Sequence, residues 1–176
     1  MLTVEQFEQL PETEGVSFEL DEGELIELSG PILRHERIQK RILLLIEGFL
    51  SSRRKLGEVM AEQEFRLSAT TVRRPDVAFV GSENLSRLDQ NRWLHMFAPD
   101  LVIEIASPSD TLNSLSRKTK QYLNAGTKAV WLVVPEMREV HIHSADARPR
   151  ILTADENLEE PALLPGFSIR ISSLFD

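Results

Sequence analysis

The apolar run Leu101-Val102-Ile103-Glu104-Ile105-Ala106 carries one glutamate in its middle. An acid placed among buried neighbours loses hydration worth several kcal/mol, so it must stay protonated or find a cation. A second acid, Asp76, opens another apolar segment, Arg73-Arg74-Pro75-Asp76-Val77-Ala78-Phe79-Val80. Side chains alternate faces along a strand, so Val102, Glu104 and Ala106 share one face, and Asp76 sits with Ala78 and Val80. If the two strands are neighbours, the carboxylates converge on one hard cation, whose preferred ligands are oxygens from carboxylates, carbonyls and water. The competing reading of each acid is a strand-end charge on a wet face, and for Asp76 an ordinary turn element after proline.

The patterning around these segments predicts a mixed sheet flanked by helices. Thr3 to Phe7 reads as a short capped helix ended by Pro11, and the segments 18–20 and 25–28 flank the turn Asp21-Glu22-Gly23-Glu24 as an N-terminal hairpin. His35, Ile38, Ile42, Leu45, Ile46 and Phe49 recur at helical spacing to about Arg53, and Gly57 breaks that helix. Strands are expected over 58–67, 74–80 and 101–106, with a loop over 82–91. A second long helix, marked by Leu112, Leu115, Lys118, Tyr122 and Leu123, closes at Gly126. Ala129 to Val134 is apolar on both faces and reads as a central strand, whereas the alternating Val140-His141-Ile142-His143 suits a place nearer an edge. The segment 163–171 reads as a final strand or extended tail.

With 176 residues and 41% hydrophobic content, the chain suits one globular domain over 1–176. It has no cysteine, which excludes disulfides and thiolate chemistry and suits a reducing cytoplasm. The first residues lack the basic flank and apolar core of a signal peptide, and the run 129–134 is too short to span a bilayer, so no membrane association is expected. The net charge of -8 argues at first against nucleic acid. Its distribution weakens that argument: nine acids and no base precede Arg34, and the remainder has 19 acids against 20 bases. The basic clusters at Arg53-Arg54-Lys55, Arg73-Arg74 and Arg117-Lys118-Thr119-Lys120 read as solvated faces before they read as phosphate contacts.

Lys118 differs from its neighbours. It stands three residues after Leu115 and four before Tyr122, on the helix face that should meet the sheet, while Arg117 and Lys120 fall to either side. A lysine on such a stripe either snorkels its amine to water or keeps its charge beside the two carboxylates. Other chemistries find less support. His141 and His143 lack a third metal ligand nearby, Ser107-Pro108-Ser109 has no histidine in a recognisable nucleophile motif, and no phosphate-binding glycine loop exists.

These residues resemble the PD-(D/E)XK nuclease superfamily, and more closely its Uma family of proposed restriction endonucleases. The resemblance runs from the Phe18-Glu19-Leu20 hairpin to Leu163-Leu164-Pro165-Gly166. It is carried by Arg74-Pro75-Asp76-Val77, by Pro99-Asp100-Leu101-Val102-Ile103-Glu104-Ile105 with Ser107-Pro108-Ser109, and by Arg117-Lys118, Tyr122, Ala125-Gly126 and Trp131. It implies a restriction-endonuclease-like α/β (α+β) core in which Asp76, Glu104 and the backbone carbonyl of Ile105 hold Mg2+, with Mn2+ as substitute. The superfamily's lysine usually stands two residues after the second acid, where this chain has Ala106; in Uma-like members it comes from the following helix, at the position of Lys118. An aspartate often found just before that lysine is Ser114 here. Glu19 matches a family acid in the hairpin that could complete a metal site, and His35 and Tyr122 are further candidates.

The resulting expectation is a Mg2+-dependent endonuclease that hydrolyses DNA phosphodiester bonds, with Asp76, Glu104 and Lys118 catalytic. The alternative is a catalytically silent nuclease-fold binding or interaction module, which the acidic surface favours. A third reading is an enzyme that needs a partner or a homodimer to supply basic surface.

Overall fold

The computed structural model describes residues 1–11 and 14–176. Thr3 caps a single turn of helix, α1 (Val4–Phe7), through a capping box with Gln6. The hairpin follows as β1 (Ser17–Asp21) and β2 (Glu24–Leu28). Its two-residue turn places Glu22 and Gly23 at φ 52° and 86°, the positive values a tight hairpin needs. Helix α2 (Leu33–Leu50) leads to β3 (Gly57–Ala61), β4 (Glu64–Arg66), β5 (Val72–Arg73) and β6 (Val77–Gly81). Gly57 opens β3 at φ 153°, where a Cβ would collide with the Val80 carbonyl and the Phe79 ring.

After the short β7 (Leu94–His95) come β8 (Leu101–Ile105), α3 (Leu112–Asn124), β9 (Ala129–Val134), β10 (Glu139–Ser144), β11 (Ala147–Leu152), β12 (Asn157–Glu160) and β13 (Leu164–Arg170). The large sheet has the order β11-β10-β9-β8-β6-β3, with β8 and β9 parallel and the other pairs antiparallel. A smaller sheet runs β2-β1-β5-β4-β7, and β12 pairs with β13 alone. β9 lies inside the large sheet, and no helix is long and apolar enough to cross a membrane among the described residues.

The helices cover opposite faces of the large sheet. Ile38, Ile42, Ile46 and Leu50 of α2 pack with Phe79, Leu101, Ile103, Ile105, Trp131 and Val133, and the C-terminal strands complete this core. On the other face Tyr122 of α3 packs with Val102 and Val130. This is the expected mixed sheet flanked by helices, with the hairpin added through the smaller sheet.

Two expected strands are corrected. The segment 58–67 breaks at Glu62, whose φ is 54°, so that β3 joins the large sheet and β4 the small one. The segment 74–80 breaks at Arg74-Pro75-Asp76, between β5 in the small sheet and β6 in the large one. Pro75 has no N–H to donate and disfavours a continuous ladder. Both crossings lie together because Ala61 pairs with Val77. Asp76 therefore sits just before a strand and not within it. The loop 82–91 contains a short 3-10 turn, Leu85–Arg87, and β5, β7, β11 and β12 are additional to the expected strands.

Asp100, at the entry to β8, is 3% exposed and accepts hydrogen bonds from the Gly81 N–H and the Asn84 amide while pairing with Lys128 at 3.1 Å. It pins the start of the site-bearing strand to the end of β6.

Candidate active site

The antiparallel register of β6 and β8 sets Val77 opposite Ile103 and Ala78 opposite Val102. One step further along, Asp76 faces the end of β8. Its Oδ2 accepts the Ile105 N–H at 2.7 Å and lies 3.2 Å from His35 Nε2. Gln39 of α2 donates to the Asp76 backbone carbonyl at 2.9 Å and to Glu62 at 3.2 Å, so the helix clamps the crossing from outside. Arg74 pairs with Glu62 at 2.9 Å, closing the same clamp.

Ile105 turns its N–H toward Asp76, whereas the next N–H, of Ala106, turns the other way to the Val133 carbonyl. Within an extended strand the N–H and C=O of one residue point to the same side, so the Ile105 carbonyl also faces Asp76 and His35. His35 is raised above its ordinary pKa, chiefly by its bond to Asp76 against the opposing effect of burial, with help from the charges of Asp76 and Glu104 and from the Ile105 carbonyl. Its Nδ1 is buried without a protein partner among the described residues.

Tyr122, fully buried on α3, donates its hydroxyl to Glu104 Oε1 at 2.7 Å. Burial raises the Glu104 carboxyl to about 7; the Lys118 charge opposes that rise, Asp76 and Glu19 add to it, and the Tyr122 hydrogen bond lowers it. Burial raises the Tyr122 phenol well above its usual range, and the adjacent acids act in the same direction, so it remains a donor.

Lys118 turns inward, not to bulk water. Its side chain is 20% exposed, and its Nζ lies 3.1 Å from Glu19 Oε2. Burial disfavours its charge, but the charges of Glu104 and then Glu19 outweigh it. Asp76, Glu104, Lys118, Glu19, His35 and Tyr122 thus belong to one electrostatic neighbourhood.

Glu19 is not an exposed hairpin charge: it is 1% exposed. Its Oε2 meets Arg73 at 2.8 Å as well as Lys118, and its Oε1 accepts the Arg74 N–H at 3.0 Å. Arg73, 2% exposed, also pairs with Asp21 at 2.8 Å and donates to Gln121 Oε1 at 2.7 and 2.9 Å. Asp21 takes Arg117 at 2.8 Å and the Gln121 amide at 2.8 Å. The cluster Arg73-Arg74, expected on a solvated face, thus contributes a buried cation. Sequence patterning missed Arg73, Asp21 and Gln121, and no local signal in Thr70-Thr71-Val72-Arg73-Arg74 sets the arginine apart.

Glu64 was also missed. Burial raises it to about 7, with Arg74 opposing and Glu19 reinforcing, and its Oε2 has no protein partner among the described residues. His141 forms a pair with Glu139 at 3.0 Å and stands apart from this site. Among the described residues no three His, Cys, Asp or Glu side chains are grouped to hold a metal ion.

A family model described as "Putative restriction endonuclease", Uma2, matches residues 4–172. The chain belongs to the Uma2 family. The Uma2 fold agrees with the crystal structure of "a putative nuclease belonging to DUF820" from Anabaena variabilis, at a TM-score of 0.88 and 23% identity, over 99% of this chain and 98% of that one. No curated protein matches the chain. The Uma2 match spans the hairpin, both long helices and every strand of the large sheet.

Proposed function

We propose that this Uma2 chain is a metal-dependent endonuclease that cleaves DNA phosphodiester bonds. The observation that carries the reading is the meeting of Asp76, Glu104 and an inward-turned Lys118 at one end of β8. Two carboxylates and the Ile105 carbonyl form the hard oxygen set that Mg2+ or Mn2+ takes, with water completing the shell. Asp76 Oδ1 and Glu104 Oε2 carry no protein hydrogen bond among the described residues, so the donor set fits. When bound, such an ion supplies charge stabilisation at a phosphoryl oxygen and a more acidic water.

The chain's own residues account for the remaining requirements. Tyr122 restrains the rotamer of Glu104 by holding Oε1, and Oε2 keeps no protein hydrogen bond among the described residues. Asp76 is oriented by the Ile105 N–H and His35. Lys118 keeps a positive charge beside the acids, where it can orient a water and offset charge developing on a phosphoryl group. Arg74, paired with Glu62, and Arg117, paired with Asp21, reduce the repulsion that a net charge of -8 presents to DNA. A cytoplasmic setting accords with the absence of cysteine.

The test is nicking and linearisation of plasmid DNA with Mg2+ or Mn2+. Glu104→Gln and Asp76→Asn should each reduce cleavage by about 100-fold or more, because each removes charge from the metal-holding pair. Wild-type protein that cuts neither single- nor double-stranded DNA with either ion, yet binds it, would replace this reading with the nuclease-fold binding module.

A further inference from the structure

We propose that Glu19 is the positioning residue that aims Lys118 at the Glu104 carboxylate, acting through the lysine and not as a metal ligand. The proposal rests on the nuclease reading above and extends it from the reacting groups to the hairpin that holds them.

A lysine borne on a helix has a flexible four-carbon stem and a tip that its own backbone does not fix. Lys118 could lie along the sheet with its amine in many places. Glu19 limits that choice because it cannot move itself. Its Oε1 is tied to the Arg74 N–H at 3.0 Å and its Oε2 to Arg73 at 2.8 Å, so the Lys118 amine, 3.1 Å from Oε2, meets a carboxylate whose place is set by β1 and β5. Arg73 in turn is fixed on α3 by Gln121, one helical turn beyond Lys118 on the same face. Asp21 closes the circuit by holding Arg73, Gln121 and Arg117 together.

Charge argues the same way. Both Glu19 oxygens are engaged by protein donors, two of them cations, whereas a metal ligand needs a lone pair directed at the ion. The arrangement also accounts for a lysine on the helix in place of Ala106: an amine arriving from another element needs an acid from a third element to hold it.

The test is a double-mutant cycle of Glu19→Gln and Lys118→Ala with three readouts. DNA cleavage with Mn2+ should fall about 10- to 100-fold in Glu19→Gln, as for other residues that orient a reacting group, with KM for DNA little changed. In the Lys118→Ala background Glu19→Gln should cause no further loss. Mn2+ affinity, measured by calorimetry, should stay within about twofold of wild type. Independently of cleavage, acylation of Lys118 followed by mass spectrometry should be about tenfold faster in Glu19→Gln, with Lys120 unchanged as internal reference.

Multiplicative losses in the cycle would overturn the proposal, as would Mn2+ affinity lost to the degree seen in Asp76→Ala, or an unchanged Lys118 acylation rate. A protein that cuts no DNA refutes the nuclease reading alone, because the acylation rate still decides whether Glu19 holds the lysine. Should Glu19→Gln unfold, Glu19→Gln with Arg73→Met removes both buried charges and serves in its place.

Discussion

Tyr122→Phe isolates one hydrogen bond at the centre of the site. The hydroxyl donates to Glu104 Oε1 at 2.7 Å from a fully buried ring, so the substitution removes one oxygen and leaves the packing of α3 on Val102 and Val130 in place. A hydrogen bond to a charged acceptor contributes about 1.5–3 kcal/mol, and about 1.4 kcal/mol corresponds to a tenfold change in ionisation. At the lower end, loss of the donor would move the Glu104 carboxyl from about 7 to roughly 8. The ionised fraction at pH 6.5 then falls about eightfold, whereas at pH 8.5 it falls by only about 1.3-fold. In the proposed site a metal would bind this carboxylate in competition with its proton, so affinity should follow that fraction. Calorimetric Mn2+ titrations of wild type and Tyr122→Phe at both pH values should show a deficit in the variant that nearly closes at the higher one. An equal deficit at both, or none at pH 6.5, would mean that Tyr122 does not set the ionisation of Glu104.

Two further outcomes concern stability. Arg73→Met leaves Glu19 and Asp21 without the cation between them and should cost about 3–5 kcal/mol in urea unfolding at pH 7, a loss below about 1 kcal/mol being incompatible with the buried ion cluster. Glu64 is raised to about 7 from 4.5, so the folded state binds the extra proton and stability falls as pH rises through that interval. Glu64→Gln should therefore be more stable than wild type by about 1–3 kcal/mol at pH 8 and gain nothing at pH 4, as read from unfolding midpoints at the two pH values.

Glu104 and Lys118 were legible because each breaks a local pattern: an acid inside an apolar strand, and a base on the inward stripe of a helix. The helices and the central strand were legible for the same reason, since periodicity is local. The crossing between the sheets was half legible. Pro75 marks it on one chain segment, but Glu62 adopts φ 54° without the glycine that usually announces such a turn. β11 was hidden because Arg148, Pro149 and Arg150 are exposed and offer no alternation. Arg73 was illegible because its partner Glu19 lies 54 residues away, and the adjacent Arg74 made the pair look like an ordinary solvated cluster. Nothing local distinguishes an arginine whose acid arrives from a distant hairpin.

That distant pairing ties the energetics of the fold to the site. Buried ion pairs recover their desolvation cost only when every charge is well partnered, and apolar residues of similar volume often stabilise as well or better. Arg73 meets two carboxylates and Gln121, Glu19 meets two cations and an N–H, and Asp21 meets two cations and an amide, so the partnering is complete. An apolar replacement of Arg73, Glu19 and Asp21 could join β1, β5 and α3 equally well, but it would leave Lys118 with no fixed acid and Glu104 with a counter-charge of undefined position. The cluster is therefore better explained by where it holds the lysine than by what it adds to stability. A triple replacement by apolar residues should accordingly retain a cooperative unfolding transition while the protection of Lys118 from acylation is lost.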